Sequence, residues 1–227
     1  MIHPNTLSRL LDISYRPENI SRATGYLKSR GLFHSPKIPY TTTPASEAEL
    51  LEFKDILNLS ELHNRLVIPI PSLANPGKLV CINCRDLLPN STREKYYVLK
   101  CVQERPIYTT KPPESIGPEE PLIITEGAID AETVASLGFS AASPLHANRS
   151  PDVLVLLTSI SRNLFFAYND DKAGLEALEG MVNLSKEIHP SVVSVKKLSC
   201  PFKDLNEAFK RLGPTTLKQI ISDQIKG

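Results

Sequence analysis

The chain has 227 residues, enough for one large domain or two small ones to bury most of their apolar surface without disulfide support. Hydrophobic residues make up 41% and charged residues 22%, and no apolar run approaches the roughly 18 to 20 residues of a membrane-spanning helix, which excludes a disordered chain and a helical membrane protein. The net charge of +1 carries no overall basic signature of a nucleic-acid partner.

At the N-terminus, MIHPNTLSRLLDIS has neither a charged stretch leading an apolar core nor a small-residue cleavage site, so no secretory signal is read there. The segment TTTP at 41–44 reads as a loop and ELLEFKDIL at 49–57 as a helical packing element. Four cysteines, Cys81, Cys84, Cys101 and Cys200, point to a reducing, intracellular compartment. Cys81 and Cys84 form one C-x-x-C inside the β-leaning run LVCINCRDL. Residues three apart on a strand face opposite ways, and no second pair follows at zinc-site spacing. These read as ordinary buried thiols.

The stretch KPPESIGPEEP, residues 111–121, interrupts any periodic element and is the best domain boundary, giving units 1–118 and 119–227. The first holds 15 Lys and Arg against 11 Asp and Glu, a balance of +4; the second holds 11 against 14, a balance of −3. A mildly basic half and a mildly acidic half suit a protein that holds a polyanion on one and metal ions on the other.

Beyond the boundary the pattern alternates. Leu122 to Thr125 is a short apolar strand that ends at Glu126-Gly127, and a helix follows through Ile129, Val134 and Leu137 to Gly138. SAAS after Gly138 reads as a strand, 151–161 as an apolar helix and NLFFAY at 163–168 as a strand. NDDKAGLEALEGMVNLSKEI then opens a helix with Leu175, Leu178, Met181 and Val182 at apolar positions, and SVVSV at 191–195 is a further strand. Strands alternating with helices over short connections predict an α/β unit, a parallel sheet flanked by helices on both faces.

In such sheets functional residues gather at the carboxyl ends of the strands. Three acidic clusters fall at such ends: Glu126; Asn169, Asp170 and Asp171; and Asp204 in CPFKDLNEAF. Converging carboxylates repel one another unless a cation neutralises them, and Mg²⁺ or Mn²⁺ favours carboxylate oxygen and water. The alternative for any one acid is a helix cap, since Asp is a preferred N-cap residue.

TEGAID at 125–130, AYNDDKAGLEAL at 167–178 and KDLNEAF at 203–209 together resemble the three signatures of the TOPRIM domain shared by primases and topoisomerases. Upstream, RLVIPIPSLANPGKLVCINCR at 65–85 is similar to the R-x-x-F-P-I, hairpin, G-x-R segment of DnaG-type primases and phage primase-helicases, REKYYV at 93–98 stands where they have a K-Y motif, and YLKSRGL at 26–32 is similar to a helix that leads into their core. The resemblance spans about residues 15–210, with the motifs in the family's order.

That resemblance implies a smaller basic α+β subdomain followed by a TOPRIM domain. It implies a nucleotidyltransferase that makes short RNA primers from ribonucleoside triphosphates on a single-stranded DNA template with Mg²⁺ or Mn²⁺, in the cytoplasm of a bacterial or phage-infected cell. Carried over by position, Glu126, Asp171 and Asp204 are the catalytic acids, and Glu126, Asn169, Asp170, Asp171 and Asp204 the metal-ligand set. Arg65, Arg85, Lys95, Lys172 and Lys203 are the expected nucleotide and template contacts, tasks suited to Arg forks and Lys point charges. Tyr96, Tyr97 and Tyr108 lie among basic residues, where they could stack single-stranded bases or pack as core.

Two departures accompany the resemblance. Asn169 stands at the first position of the family's D-x-D pair, which weakens a hard-cation site by one charge and favours a second reading, a nucleic-acid-binding subunit that has lost polymerisation. A TOPRIM nuclease would share the acids but not the upstream motifs. Residues 1–15 are too few for the family's zinc module, and no G-x-x-x-x-G-K-[ST] occurs, so the expectation is a minimal catalytic core, a core excised from a longer protein, or a small phage or plasmid primase, with a helicase and a zinc-binding module as separate partners.

Overall fold

The computed structural model describes residues 1–32, 40–75, 77–88, 91–146, 150–169, 171–188, 194–200 and 202–227. It divides into two compact units, Met1–Pro106 and Ile107–Gly227. The division falls twelve residues before the expected 118/119 boundary. The cause is Tyr108–Thr109, which pairs antiparallel with Ser143 and Ala142 of the second sheet, so KPPESIGPEEP lies within the second unit.

Proline opens the first two helices, α1 (Pro4–Ser14) and α2 (Pro17–Ser29), where its missing N–H leaves no helical bond unmade. A four-stranded antiparallel sheet follows in the order β1 (Thr41–Thr42), β2 (Arg65–Pro71), β3 (Leu79–Asp86), β4 (Tyr96–Lys100). The expected loop at 41–44 is therefore in part a strand. Thr41 and Thr42 pair with Val67 and Leu66 and are fully buried, and the Thr43 hydroxyl donates to Leu62 O at 2.7 Å and accepts the Arg65 N–H at 2.8 Å. Threonine suits this place because its β-branch favours strand geometry and its hydroxyl can satisfy backbone groups away from water.

The expected helix at 49–57 is a 3-10 segment over Glu47–Phe53, followed after a turn by α3 (Leu59–Leu62). Leu50, Phe53, Leu57 and Leu62 pack with Leu10, Val67, Ile82 and Leu99 into one core. Each such side chain contributes about 1.5–3 kcal/mol by leaving water.

In the second unit the sheet order is β5 (Tyr108–Thr109), β7 (Ser140–Ser143), β6 (Leu122–Thr125), β8 (Asn163–Ala167), β9 (Ser194–Lys197), with β5 antiparallel and the other four parallel. Residues 191–193 of the expected SVVSV strand lie outside the described residues. Every residue of β6 and β7 is buried, as a sheet covered on both faces requires.

The helices are α4 (Ala128–Ser136), α5 (Pro151–Ile160), α6 (Lys172–Ile188), α7 (Leu205–Leu212) and α8 (Pro214–Lys226). The chain runs outward from β6 through α4 to β7, then back past β6 through α5 to β8. Right-handed crossovers therefore place α4 on one face and α5 and α6 on the other. Gly138, at φ +94° just after α4, and Gly213, at φ +79° between α7 and α8, occupy left-handed backbone that a side chain would strain. No described helix is long and apolar enough to cross a membrane.

Candidate functional site

β6 and β8 are hydrogen-bonded neighbours whose crossovers depart in opposite directions, to β7 and to β9. Such a switch point leaves a crevice at the carboxyl ends of the two strands, where open α/β sheets bind their ligands. Glu126 stands one residue beyond β6, and Asn169 and Asp171 stand just beyond β8.

The structure joins these side chains closely. The Asn169 backbone N–H donates to Glu126 Oε1 at 2.8 Å, and Asn169 Nδ2 donates to Glu126 Oε2 at 3.0 Å. Asp171 precedes α6, and its Oδ1 accepts the Gly174 N–H at 2.9 Å. Gly174 sits against the same knot: a Cβ built there would lie 2.2 Å from the Asn169 carbonyl oxygen and 3.1 Å from Glu126 Oε1. Only glycine allows the first turn of α6 to approach so closely.

Asp204 is the N-cap of α7, its Oδ1 accepting the Glu207 N–H at 2.7 Å. Both aspartates thus cap helices, and each cap occupies one carboxylate oxygen. The helix-cap alternative and a ligand role are compatible on these two residues.

Sequence reasoning missed a second connection. The Asn206 N–H donates to Asp130 Oδ1 at 3.0 Å, and Asn206 Nδ2 donates to Thr133 Oγ1 at 2.9 Å in full burial. It ties α7, which Asp204 caps, to α4, which begins just after Glu126. TEGAID and KDLNEAF contain both partners, yet their spacing of 76 residues carries no periodic signal.

Hard oxygen donors suit Mg²⁺ or Mn²⁺, which keeps several waters and takes one or two carboxylates together with substrate phosphates. Asp171 and Asp204 fit that demand, each with Oδ2 outside its cap bond. Among the described residues no three His, Cys, Asp or Glu side chains stand close enough to hold an ion by themselves. Asp170 lies outside the described residues. Asn169, expected among the ligands, presents its NH₂ group to Glu126 instead.

The expected basic contacts separate. Arg65 is wholly buried in the first unit. Its guanidinium donates to Glu94 O at 2.8 Å, Cys84 O at 3.2 Å and Glu61 Oε2 at 2.8 Å, and also to Glu61 O, while it lies 5.8 Å from the Tyr97 ring. Arg65, expected to contact nucleotide or template, is thus held by four acceptors inside the fold.

Arg85 is half-buried, donates to the Tyr96 hydroxyl and lies 5.3 Å from the Tyr96 ring and 5.9 Å from that of Tyr26. Burial opposes its charge, but Tyr96 and Tyr26 beside it push its pKa up. Lys95 is exposed, with Nζ 5.5 Å from the other cation's tyrosine, Tyr96. Two cations on one aromatic ring make a local patch suited to phosphate and stacked bases. Lys172 and Lys203 are exposed beside Asp171 and Asp204, with Lys172 3.9 Å from Glu176. Tyr108 belongs elsewhere: it is buried in the second unit and its hydroxyl donates to Glu132.

The cysteines match the buried-thiol reading. None of the four forms a disulfide, Cys81 and Cys84 are buried on β3, and burial pushes both thiols up to about 12.

No family model matches the chain. The chain is 23% identical to a DNA primase of Thermotoga maritima over 239 residues, covering 91% of this chain and 40% of that protein. The chain thus spans well under half the length of that curated relative. Among solved structures, it superposes on a DnaG primase catalytic domain bound to single-stranded DNA with a TM-score of 0.74 at 18% identity, over 96% of this chain and 81% of that one. It superposes on the zinc-binding and RNA polymerase domains of the Aquifex aeolicus primase with a TM-score of 0.71 at 22% identity, over 96% of this chain and 60% of that one. The chain has the fold of a DnaG-type primase catalytic core.

Proposed function

We propose that the chain is a DNA primase catalytic core that joins ribonucleoside triphosphates into short RNA primers on single-stranded DNA, with its second unit a TOPRIM domain. The observation that carries this reading is the placement of Glu126, Asn169, Asp171 and Gly174 in one knot at the switch point of a sheet whose fold is that of primase cores.

In this reading Glu126 accepts the proton of the attacking 3′-hydroxyl. Its carboxylate is already oriented by two hydrogen bonds from Asn169, which lowers the reorganisation needed at the moment of transfer. Asp171 and Asp204 would hold Mg²⁺ or Mn²⁺, which neutralises phosphate charge during nucleotidyl transfer. Lys172 and Lys203 add mobile positive charge beside them, and Arg85 and Lys95 on the first unit hold template or triphosphate phosphates. The Aquifex structure pairs its polymerase domain with a zinc-binding domain, which supports a zinc-binding module as a partner; a replicative helicase is the other partner of this reading. The cytoplasm is the compartment in which it would act.

The test is primer synthesis on single-stranded DNA with labelled ribonucleotides and Mg²⁺ or Mn²⁺, comparing the native chain with Glu126→Gln and Asp171→Asn. Short RNA products lost in both variants support the proposal. Tight binding of single-stranded DNA with no product under either metal, with a zinc-binding module added in trans, sinks it and favours the non-polymerising binding subunit that Asn169 suggests.

A further inference from the structure

We infer that Asn169 is a positioning residue that clamps the Glu126 carboxylate and takes no part in metal ligation, so that ion binding at this site rests on the aspartates that follow it. The inference deepens the proposed function by assigning the departure at Asn169 a role of its own.

Three observations carry it. An ionised carboxylate only accepts hydrogen bonds, so of the two ends of a carboxamide only the NH₂ can face it. Asn169 does face it, with Nδ2 3.0 Å from Oε2, while its own backbone N–H reaches Oε1 at 2.8 Å. Both oxygens of Glu126 are therefore held by one residue, a two-point grip that fixes both the position and the plane of the carboxylate.

The grip is also confined from the far side. Gly174 brings the first turn of α6 against the Asn169 carbonyl and Glu126 Oε1, so Asn169 cannot swing its backbone away without displacing α6. A side chain locked in this way orients a neighbour better than it serves as a neutral ligand. An Asp in its place would set a second negative charge about 3 Å from Glu126, a like-charge contact that is unfavourable until a cation arrives.

Two measurements on the full chain test this. The first is thermal unfolding of metal-free protein. Asn169→Asp should lower the midpoint of the second unit by about 3 °C or more, further than Asn169→Ala. Glu126→Gln combined with Asn169→Asp should recover most of that loss, because the glutamine NH₂ then donates to the new carboxylate and the polarity of the pair is reversed. Independent, additive effects of the two substitutions would overturn the clamp.

The second is Mn²⁺ titration followed by electron paramagnetic resonance. Asn169→Ala should bind Mn²⁺ within about twofold of the native affinity, against about tenfold or more for Asp171→Ala, the difference expected between removing a neighbour and removing a ligand. A tenfold loss in Asn169→Ala would overturn the inference. Neither readout needs primer synthesis, so failure of the proposed activity and failure of the clamp are distinguishable.

Discussion

The N–H of Asn206 donates to the Asp130 carboxylate at 3.0 Å across 76 residues of chain, and the Asn206 amide donates to Thr133 Oγ1 from complete burial. These bonds join the start of α7 to the middle of α4. Because Asp204 caps α7 and Glu126 lies just before α4, they set how the third acidic motif stands relative to the first. Asn206→Ala leaves Thr133 and the surrounding polar atoms without that amide and should cost about 1–3 kcal/mol. It should also cut turnover more than it raises the Michaelis constant if Asp204, as proposed, holds the metal ion. Urea unfolding beside steady-state primer synthesis checks both; a stability loss with unchanged turnover would separate the latch from the site.

The local pattern of the sequence carried the second unit well. Leu122–Thr125, Ser140–Ser143 and Asn163–Ala167 are strands, as short apolar runs between turn signals imply, with Glu126 just beyond the first and Asn169 and Asp171 just beyond the third, whereas Asp204 stands seven residues beyond β9 as the cap of α7. What periodicity could not show is which polar residues meet across the sheet. Nothing near Asn169 signals its grip on Glu126 43 residues earlier, and the Arg65 guanidinium is buried by contacts with Cys84 and Glu94 that a hairpin creates only after folding. TTTP looked like a loop because three threonines carry no alternation, whereas their hydroxyls satisfy an interior edge strand.

Gly174→Ala probes the close approach of α6. The added methyl would meet the Asn169 carbonyl oxygen at 2.2 Å, and backbone cannot yield there as a flexible side-chain end could. A cost of about 3 kcal/mol, at the upper end for overpacking, should appear in the melting transition of the second unit. Because the displaced groups are Asn169 and Glu126, turnover should fall at least tenfold at temperatures where the variant is still folded. Circular dichroism confirms folding and a fixed-temperature primer assay gives the turnover.

Arg65 and Arg85 should respond in opposite ways to truncation. Arg65→Ala removes a buried cation from Glu61, Cys84 and Glu94 and leaves its acceptors without a donor, a loss of about 3–5 kcal/mol. Arg65→Lys should not restore it, because a single ammonium cannot serve acceptors arranged for a planar fork. Arg85→Ala should cost about 1 kcal/mol, from two aromatic contacts and a bond to Tyr96. It should instead weaken single-stranded DNA binding and lower the salt slope by about 0.7, the loss of one phosphate contact. Fluorescence anisotropy at several salt concentrations, paired with urea unfolding, distinguishes the anchor from the contact.

The thiols give a prediction in pH. Burial pushes Cys81 and Cys84 from an ordinary value of 9.0 up to about 12. Between those values the unfolded chain has lost thiol protons that the native chain keeps, so the unfolded state binds fewer protons and stability falls as pH rises. The two thiols cost nothing below about pH 9. Above it each contributes a decline of up to about 1.4 kcal/mol per pH unit. Cys84→Ala should flatten the alkaline limb of a stability–pH curve while creating a small cavity that lowers its plateau. At pH 8 the same burial should leave Cys81 and Cys84 unreactive toward a thiol reagent in the native protein, whereas the half-exposed Cys101 and Cys200 react, and denaturant should release all four. Rapid labelling of Cys81 or Cys84 in the folded state would show that β3 opens on the timescale of the reaction, and the alkaline decline should then begin at the same pH but end at a lower one.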